Sequence, residues 1–127
     1  MITGVVNAFG EAIIRLQLRG ELGGDRQIEA VIDTGFTGML TLPSSLIEEL
    51  GLFWQRRGRA LLADGSETIF DVYEATVIWD GTPRRVAVDE VDSDPLVGMS
   101  LLQGHEMTMQ IVEGGRVVIQ SIPNTSV

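Results

Sequence analysis

Cysteine and lysine are both missing from this sequence of 127 residues, and histidine occurs only once. Without cysteine the chain has no disulfide framework, no thiolate nucleophile and no zinc knuckle. The one histidine, His105, has no serine nucleophile motif beside it, and we expect it to be structural or exposed rather than catalytic or metal-binding. Zinc or two-metal chemistry needs several His or Cys ligands at fixed spacing, which this sequence lacks. We therefore expect no metal and no cofactor.

Positive charge and long apolar runs are also scarce. Nine basic residues, all arginine, stand against 18 acidic ones and give a net charge of −9. Binding to nucleic acid or to an anionic membrane needs a basic stripe, and the one basic cluster, RRGR at 56–59, is short. We expect it to be solvated or locally ion-paired. Because no run approaches the roughly 20 apolar residues of a membrane span and no signal-peptide pattern is present, we expect a cytoplasmic location.

What the sequence does contain is enough apolar material for one globular domain over residues 1–127. Its hydrophobic fraction is 44%, and this length supports a core without metals or disulfides. Segment 11–20, EAIIRLQLRG, alternates between apolar and polar residues, which is typical of a half-buried strand. Similar segments are separated by pairs that tolerate positive φ, namely Gly23-Gly24, Asp64-Gly65, Asp80-Gly81 and Gly114-Gly115. This spacing predicts a mainly β fold, either a barrel or a sandwich.

Two short helices are expected between the strands. Segment 43–51, PSSLIEELG, has a proline near its start, a capping box from Ser45 to Glu48, and Gly51 as its stop. A second and shorter helix is expected in GMSLLQG at 98–104.

Residues 89–94, DEVDSD, concentrate four acidic side chains. They lack the central glycine and terminal glutamate of an EF-hand calcium loop. We therefore expect a solvated loop rather than a cation site.

One carboxylate occupies an unusual position. In AVIDTGFTGMLTLP, residues 30–43, Asp33 directly follows an apolar strand, where burial of a charge is costly unless it is paired or protonated. Asp-Thr-Gly supplies a rigidly held carboxylate, a hydroxyl that locks the loop, and a glycine that allows close approach, which are the parts an aspartic peptidase needs. A second apolar segment that ends in glycine, PLVG at 95–98, is a faint echo of AVIDTG.

Three segments in this order resemble the retropepsin-like family of aspartic peptidases, in particular its small single-lobe prokaryotic members. Segment 30–43 resembles the catalytic loop and the strand after it. Segment 61–70, LLADGSETIF, stands where the family has its flap hairpin. Segment 95–104, PLVGMSLLQG, resembles the second signature that precedes a short C-terminal helix. The resemblance implies a mainly β, closed-barrel-like retropepsin fold with one or two short helices.

The resemblance also implies roles for individual residues. Asp33 would be the catalytic carboxylate, Thr34 would bond across a dimer axis, and Gly35 would lie close to substrate. Leu96, Val97 and Gly98 would pack beneath the loop. The residues implied to contact substrate are Phe36 and the flap residues Ala63, Asp64, Gly65 and Ser66. Phe36 departs from the family pattern, which usually has a small residue there, and its ring either narrows the cleft or lies under the loop.

The chemistry implied by the resemblance requires two carboxylates. Like charges a few ångströms apart do not both ionise, so one carboxylate activates water while its protonated twin polarises the peptide carbonyl. With one Asp-Thr-Gly in the chain, an aspartic endopeptidase must be a homodimer that acts on a peptide or protein. Two alternatives remain open. The same dimeric cleft can bind peptides with little or no cleavage, or Asp33 can accept backbone hydrogen bonds in a turn of a structural β domain.

Overall fold

The computed structural model describes residues 1–21 and 24–123, which form ten strands and two short helices. The strands are β1 (Ile2–Val6), β2 (Ala12–Arg19), β3 (Asp25–Ile32), β4 (Leu40–Leu42), β5 (Phe53–Leu61), β6 (Glu67–Trp79), β7 (Thr82–Glu90), β8 (Leu96–Val97), β9 (His105–Met109) and β10 (Arg116–Ser121). The helices are α1 (Ser44–Leu50) and α2 (Met99–Leu102). The prediction of a mainly β chain with two short helices is confirmed.

All ten strands belong to one sheet, in the order β5-β6-β7-β4-β8-β3-β2-β1-β10-β9. A further antiparallel pairing joins β2 to β6 and links six of the strands into a ring of pairings. Strands β5 and β9 lie outside this ring and form the two edges of the sheet. The sheet therefore curls around its core as expected. Because β5 and β9 remain as edge strands, the barrel is not clearly closed.

The core follows from the alternation of apolar residues. In β2 the side chains of Ala12, Ile14, Leu16 and Leu18 are buried, as predicted. The arginine and glutamine side chains between them are exposed. Leu40 and Leu42 of β4 and Leu101 of α2 add to the same cluster, so both short helices cover one continuous apolar interior. Such burial supplies most of the favourable free energy of folding.

Glycines form the predicted hairpin turns. Asp80 and Gly81 both have positive φ, at 51° and 80°, in the two-residue turn between β6 and β7, which is the geometry that matches the twist of paired strands. Gly65 (φ 87°) turns the chain between β5 and β6, and Gly114 (φ 78°) turns it between β9 and β10. The predicted Gly23-Gly24 turn includes Gly23, which lies outside the described residues.

Helix α1 begins and ends as the sequence indicates, but its cap is different. Gly51 adopts the left-handed conformation (φ 64°) and ends the helix. The predicted capping box from Ser45 to Glu48 is wrong, since no side chain of the helix caps its first turn. Instead, the carboxylate of Asp92 accepts a hydrogen bond from the backbone N–H of Ser44 (3.1 Å) and another from its hydroxyl.

Within residues 1–21 and 24–123, neither helix is long and apolar enough to cross a membrane.

Candidate active site

Asp33 lies at the end of β3, where this strand runs parallel to β8. Val31 pairs with Leu96 and Ile32 with Val97, so the two segments that echo each other in the sequence are neighbours in the sheet. The backbone N–H of Asp33 donates to the carbonyl of Val97 over 2.9 Å. The residue after the strand is therefore fixed by the sheet itself, and its side chain is half-buried.

The loop after Asp33 is held by the start of α2. The backbone N–H of Met99 donates to the carbonyl of Phe36 (2.8 Å), and that of Ser100 donates to the carbonyl of Gly38 (3.1 Å). The Ser100 hydroxyl also donates to the carbonyl of Thr37. These bonds satisfy backbone groups that a loop would otherwise leave to water, and they make the loop a rigid platform.

The ring of Phe36 packs over two glycines. A methyl group on Gly38 would lie 2.5 Å from the ring, and one on Gly98 would lie 2.5 Å from the ring and 2.2 Å from the carbonyl oxygen of Gly38. The ring is half-buried, and it also lines the cleft described below. The ring therefore lines the cleft and also fills the space that Gly38 and Gly98 leave.

The carboxylate of Asp33 is bonded on one side. Its Oδ1 accepts a hydrogen bond from the backbone N–H of Gly35 over 2.9 Å, which closes a tight turn around Asp-Thr-Gly. Thr34 and Gly35 are exposed beside it. The loop thus presents the carboxylate, the threonine and the glycine together at the surface of one chain.

A cleft of about 700 Å³ lies over this loop. One wall is the loop itself, with Asp33, Gly35 and Phe36, and the opposite wall is the hairpin of β5 and β6. The hairpin residues that line the cleft are Arg59, Ala60, Leu61, Thr68 and Phe70. The hairpin tip, Ala63 to Ser66, does not line the cleft, so the sides of the hairpin and not its end face Asp33.

The tip of the hairpin is an exposed, internally bonded turn. The N–H of Leu62 donates to the carbonyl of Ser66 over 2.7 Å. The carboxylate of Asp64 accepts from the hydroxyl and from the N–H of Ser66, and these bonds lower the pKa of Asp64. Asp64 therefore stabilises the turn at the tip of the hairpin through its hydrogen bonds with Ser66.

A second depression, of about 360 Å³, lies on the other side of Asp33. Asp33 and Thr34 form part of its lining, together with Met109 and Ile111. These two apolar side chains are 38% and 66% exposed. Asp33 thus stands between a cleft covered by a hairpin and an apolar surface that is open to solvent.

The cleft also contains an acidic residue that the sequence did not single out. Asp89 is half-buried on β7 and lines the same cleft as Asp33. Burial raises the pKa of Asp89, and the positive charge of Arg56 opposes that rise. The prediction that residues 89–94 form a solvated loop is wrong for Asp89 and Glu90, which belong to β7. A third acid of this segment, Asp92, accepts the hydrogen bonds that cap α1. The apolar residues that alternate with Asp89, at Val86 and Val88, were the available signal for a strand.

His105 is half-buried and contacts Trp79. Its Nε2 accepts a hydrogen bond from the indole N–H of Trp79 (3.1 Å), and the two rings meet edge to face. Its Nδ1 lies 3.1 Å from the carbonyl oxygen of Gln103.

The arginines of RRGR are exposed, and Arg57 lies 3.9 Å from Asp71. In the part of the chain that the structure describes, no three His, Cys, Asp or Glu side chains gather into a group that could hold a metal ion.

A comparison with solved structures assigns this architecture. The chain is similar to a crystal structure of a retropepsin-like aspartic protease from Rickettsia conorii, with a TM-score of 0.59 over 96% of this chain and 91% of that chain. The fold is retropepsin-like. Sequence identity to that protein is 18%, so the likeness is one of fold. No protein-family model and no curated protein matches the sequence. Within this fold Asp33 lies in the loop after β3, and the β5–β6 hairpin forms another wall of the same cleft.

Proposed function

We propose that this protein is an aspartic endopeptidase whose active site forms between two copies of the chain, each contributing Asp33. The observation that carries the proposal is the position of Asp33. This half-buried carboxylate, fixed at the end of a strand, faces a cleft beneath a hairpin in a retropepsin-like fold. Residues 1–127 would form one domain of this type, and the lack of cysteine suits a cytoplasmic location.

The proposed chemistry follows from two carboxylates that share one proton. The ionised Asp33 takes a proton from a water molecule as that water attacks the peptide carbonyl carbon. The protonated partner's Asp33 donates a hydrogen bond to the carbonyl oxygen, on which negative charge develops. The proton taken from water then passes to the amide nitrogen as the C–N bond breaks. In this scheme Thr34 braces the two loops, and the backbone at Gly35 lies against the substrate.

Two features favour a second copy of the chain as the source of the other carboxylate. Asp89 is the other acid in the cleft, but it lies on β7, whereas Asp33 lies on the loop after β3 that forms another wall of the cleft. The surface beside Asp33 and Thr34 carries exposed Met109 and Ile111, which a second copy would cover. Burial of such apolar side chains would offset the repulsion between two chains of net charge −9.

The proposal is tested by removing the carboxylate without changing its shape. Asp33→Asn should abolish cleavage of an unfolded protein substrate while thermal unfolding stays close to that of the parent. A pepstatin-type statine should inhibit the parent, and chelators should not. Cleavage by a homogeneous Asp33→Asn preparation would overturn the assignment. A folded parent that binds peptides without cleaving them would instead identify a peptide-binding module.

A further inference from the structure

Asp89 is held in the cleft by the middle of the sheet. Its strand, β7, lies between β6 and β4, where Asp89 pairs with Val72 on one side and Thr41 on the other. Gly38, in the loop after Asp33, lies next to the Asp89 carboxylate, since a methyl group added to Gly38 would lie 3.3 Å from Asp89 Oδ2. A carboxylate on a paired inner strand, facing space left by a glycine, has a fixed position relative to anything bound in the cleft.

The carboxylate of Asp89 has no ion-pair partner among residues 1–21 and 24–123. The positive charge of Arg56 opposes the rise in the pKa of Asp89, yet the two residues form no ion pair. Arg59 lies on the hairpin wall of the same cleft, and Asp33 lies on the loop wall. The carboxylate oxygens of Asp89 accept no hydrogen bond from the described residues, and no buried polar side-chain atom of those residues lacks a partner. The oxygens of Asp89 are therefore not fully buried, and their residue lines the cleft.

An anion that is half removed from water and unpaired gains most from a cation that enters beside it. The side chain of Asp89 is half-buried, and this burial raises its pKa because it removes part of the water that would solvate the charge. A guanidinium or ammonium group restores the lost interactions through charge-assisted hydrogen bonds, whereas a carboxylate is repelled. Resting on the proposed peptide cleft, we infer that Asp89 is a specificity-determining residue that selects an arginine or lysine side chain of the bound peptide.

The test uses peptide binding to the Asp33→Asn protein, so that cleavage is not needed. The probes are blocked octapeptides of alanine and valine that carry one arginine, citrulline, leucine or glutamate, scanned through the central positions. Citrulline has the shape of arginine without its charge. At one position the arginine peptide should bind about tenfold more tightly than the citrulline peptide, as expected for one partly desolvated charge pair. Dissociation constants come from NMR titration, in which the amides of Gly38 and Asp89 should shift.

The variant that isolates the effect is Asp89→Asn, and its matched control is Asp94→Asn. Both remove one negative charge, but Asp94 is exposed and does not line the cleft. The arginine preference should vanish in Asp89→Asn and persist in Asp94→Asn. No preference for arginine over citrulline, or a preference that survives in Asp89→Asn, would overturn the inference. Should Asp89→Asn fail to fold, the arginine-to-citrulline comparison and the shifted amides in the Asp33→Asn protein still decide it.

Failure of this inference and failure of the proposed function give different results. If arginine peptides bind selectively to the Asp33→Asn protein but the parent cleaves no substrate, the role of Asp89 is supported and the proposed peptidase activity is overturned. Cleavage by the parent with no preference for a basic side chain at any position leaves the hydrolysis in place and overturns the role of Asp89.

Discussion

At the scale of single residues, Gly98 links the candidate site to the packing beneath it. The N–H of Gly98 donates a hydrogen bond to the carbonyl of Met39. Because glycine has no side chain, there is room beside it for the ring of Phe36 and the carbonyl of Gly38. In the sequence this residue is visible only as the last letter of PLVG. The resemblance predicted that Gly98 packs beneath the loop, but no sequence pattern explains why a glycine is needed, because the atoms that require it come from a loop some sixty residues earlier in the chain.

Gly98→Ala should destabilise the protein by about 1–3 kcal/mol, the usual cost of forcing a methyl group into packed surroundings. The new methyl group would lie 2.2 Å from a backbone oxygen, which has little freedom to move. Urea unfolding measures the change. Gly24→Ala is the control, since nothing lies within 4 Å of its added methyl group, and it should change the free energy of unfolding by less than about 1 kcal/mol. Equal losses in the two variants would contradict this packing.

Asp92 is the second residue with a measurable consequence. Hydrogen bonds from Ser44 lower the pKa of Asp92 in the folded protein. A lowered folded-state pKa stabilises the fold above the unfolded-state pKa, and this stabilisation is lost as the pH falls through the folded-state pKa. Asp92→Ala should therefore reduce the free energy of unfolding at pH 7, and its difference from the parent should narrow near pH 3.

Urea unfolding at the two pH values checks this, with Asp94→Ala as the control for the loss of a negative charge. Asp94 is exposed, and its side chain is not the acceptor at Ser44. A pH-independent difference between parent and Asp92→Ala would show that the charged acceptor does not stabilise α1.

At the scale of elements, the sequence predicted most of what local patterns control. The alternation in β2, the turn at Asp80-Gly81 and the stop of α1 at Gly51 all depend on residues close in the chain. The cap of α1 was missed because Asp92 is distant in sequence from Ser44. Asp89 was missed for a related reason. The acidic residues around Asp89 are typical of a solvated loop, but pairing with β4 and β6 makes Asp89 part of a strand.

The β5–β6 hairpin should be mobile at its tip. Residues 62–67 are exposed, and elements that admit ligands belong to the less stable parts of a fold. Hydrogen exchange of amides 62–68 should be fast in the free protein and should slow when a statine-type inhibitor binds. The amides of Ile14 to Leu18 in β2 should stay protected in both states and serve as the internal reference. Identical exchange at 62–68 with and without a bound inhibitor would mean that the hairpin does not close over the cleft.

At the scale of the whole molecule, a single chain offers half of the proposed chemistry. The retropepsin-like fold positions one Asp33, and the sequence contains one Asp-Thr-Gly. The dimer was predicted from mechanism, not from any pattern in the residues that would face a second copy. Such patterns are weak because the surface around Met109 and Ile111, which we propose as the dimer interface, resembles ordinary exposed apolar surface in the single chain.

The central claim, that one active site needs Asp33 from two chains, is tested most directly by subunit mixing. Parent and Asp33→Asn chains are combined at fixed total concentration, allowed to exchange subunits, and assayed for cleavage of an unfolded protein. With half of the chains replaced, random pairing leaves roughly a quarter of the dimers with two aspartates, so activity should fall to about a quarter of the parent value. Activity that falls only to about half would show that each chain carries a complete site, and would contradict the shared dyad.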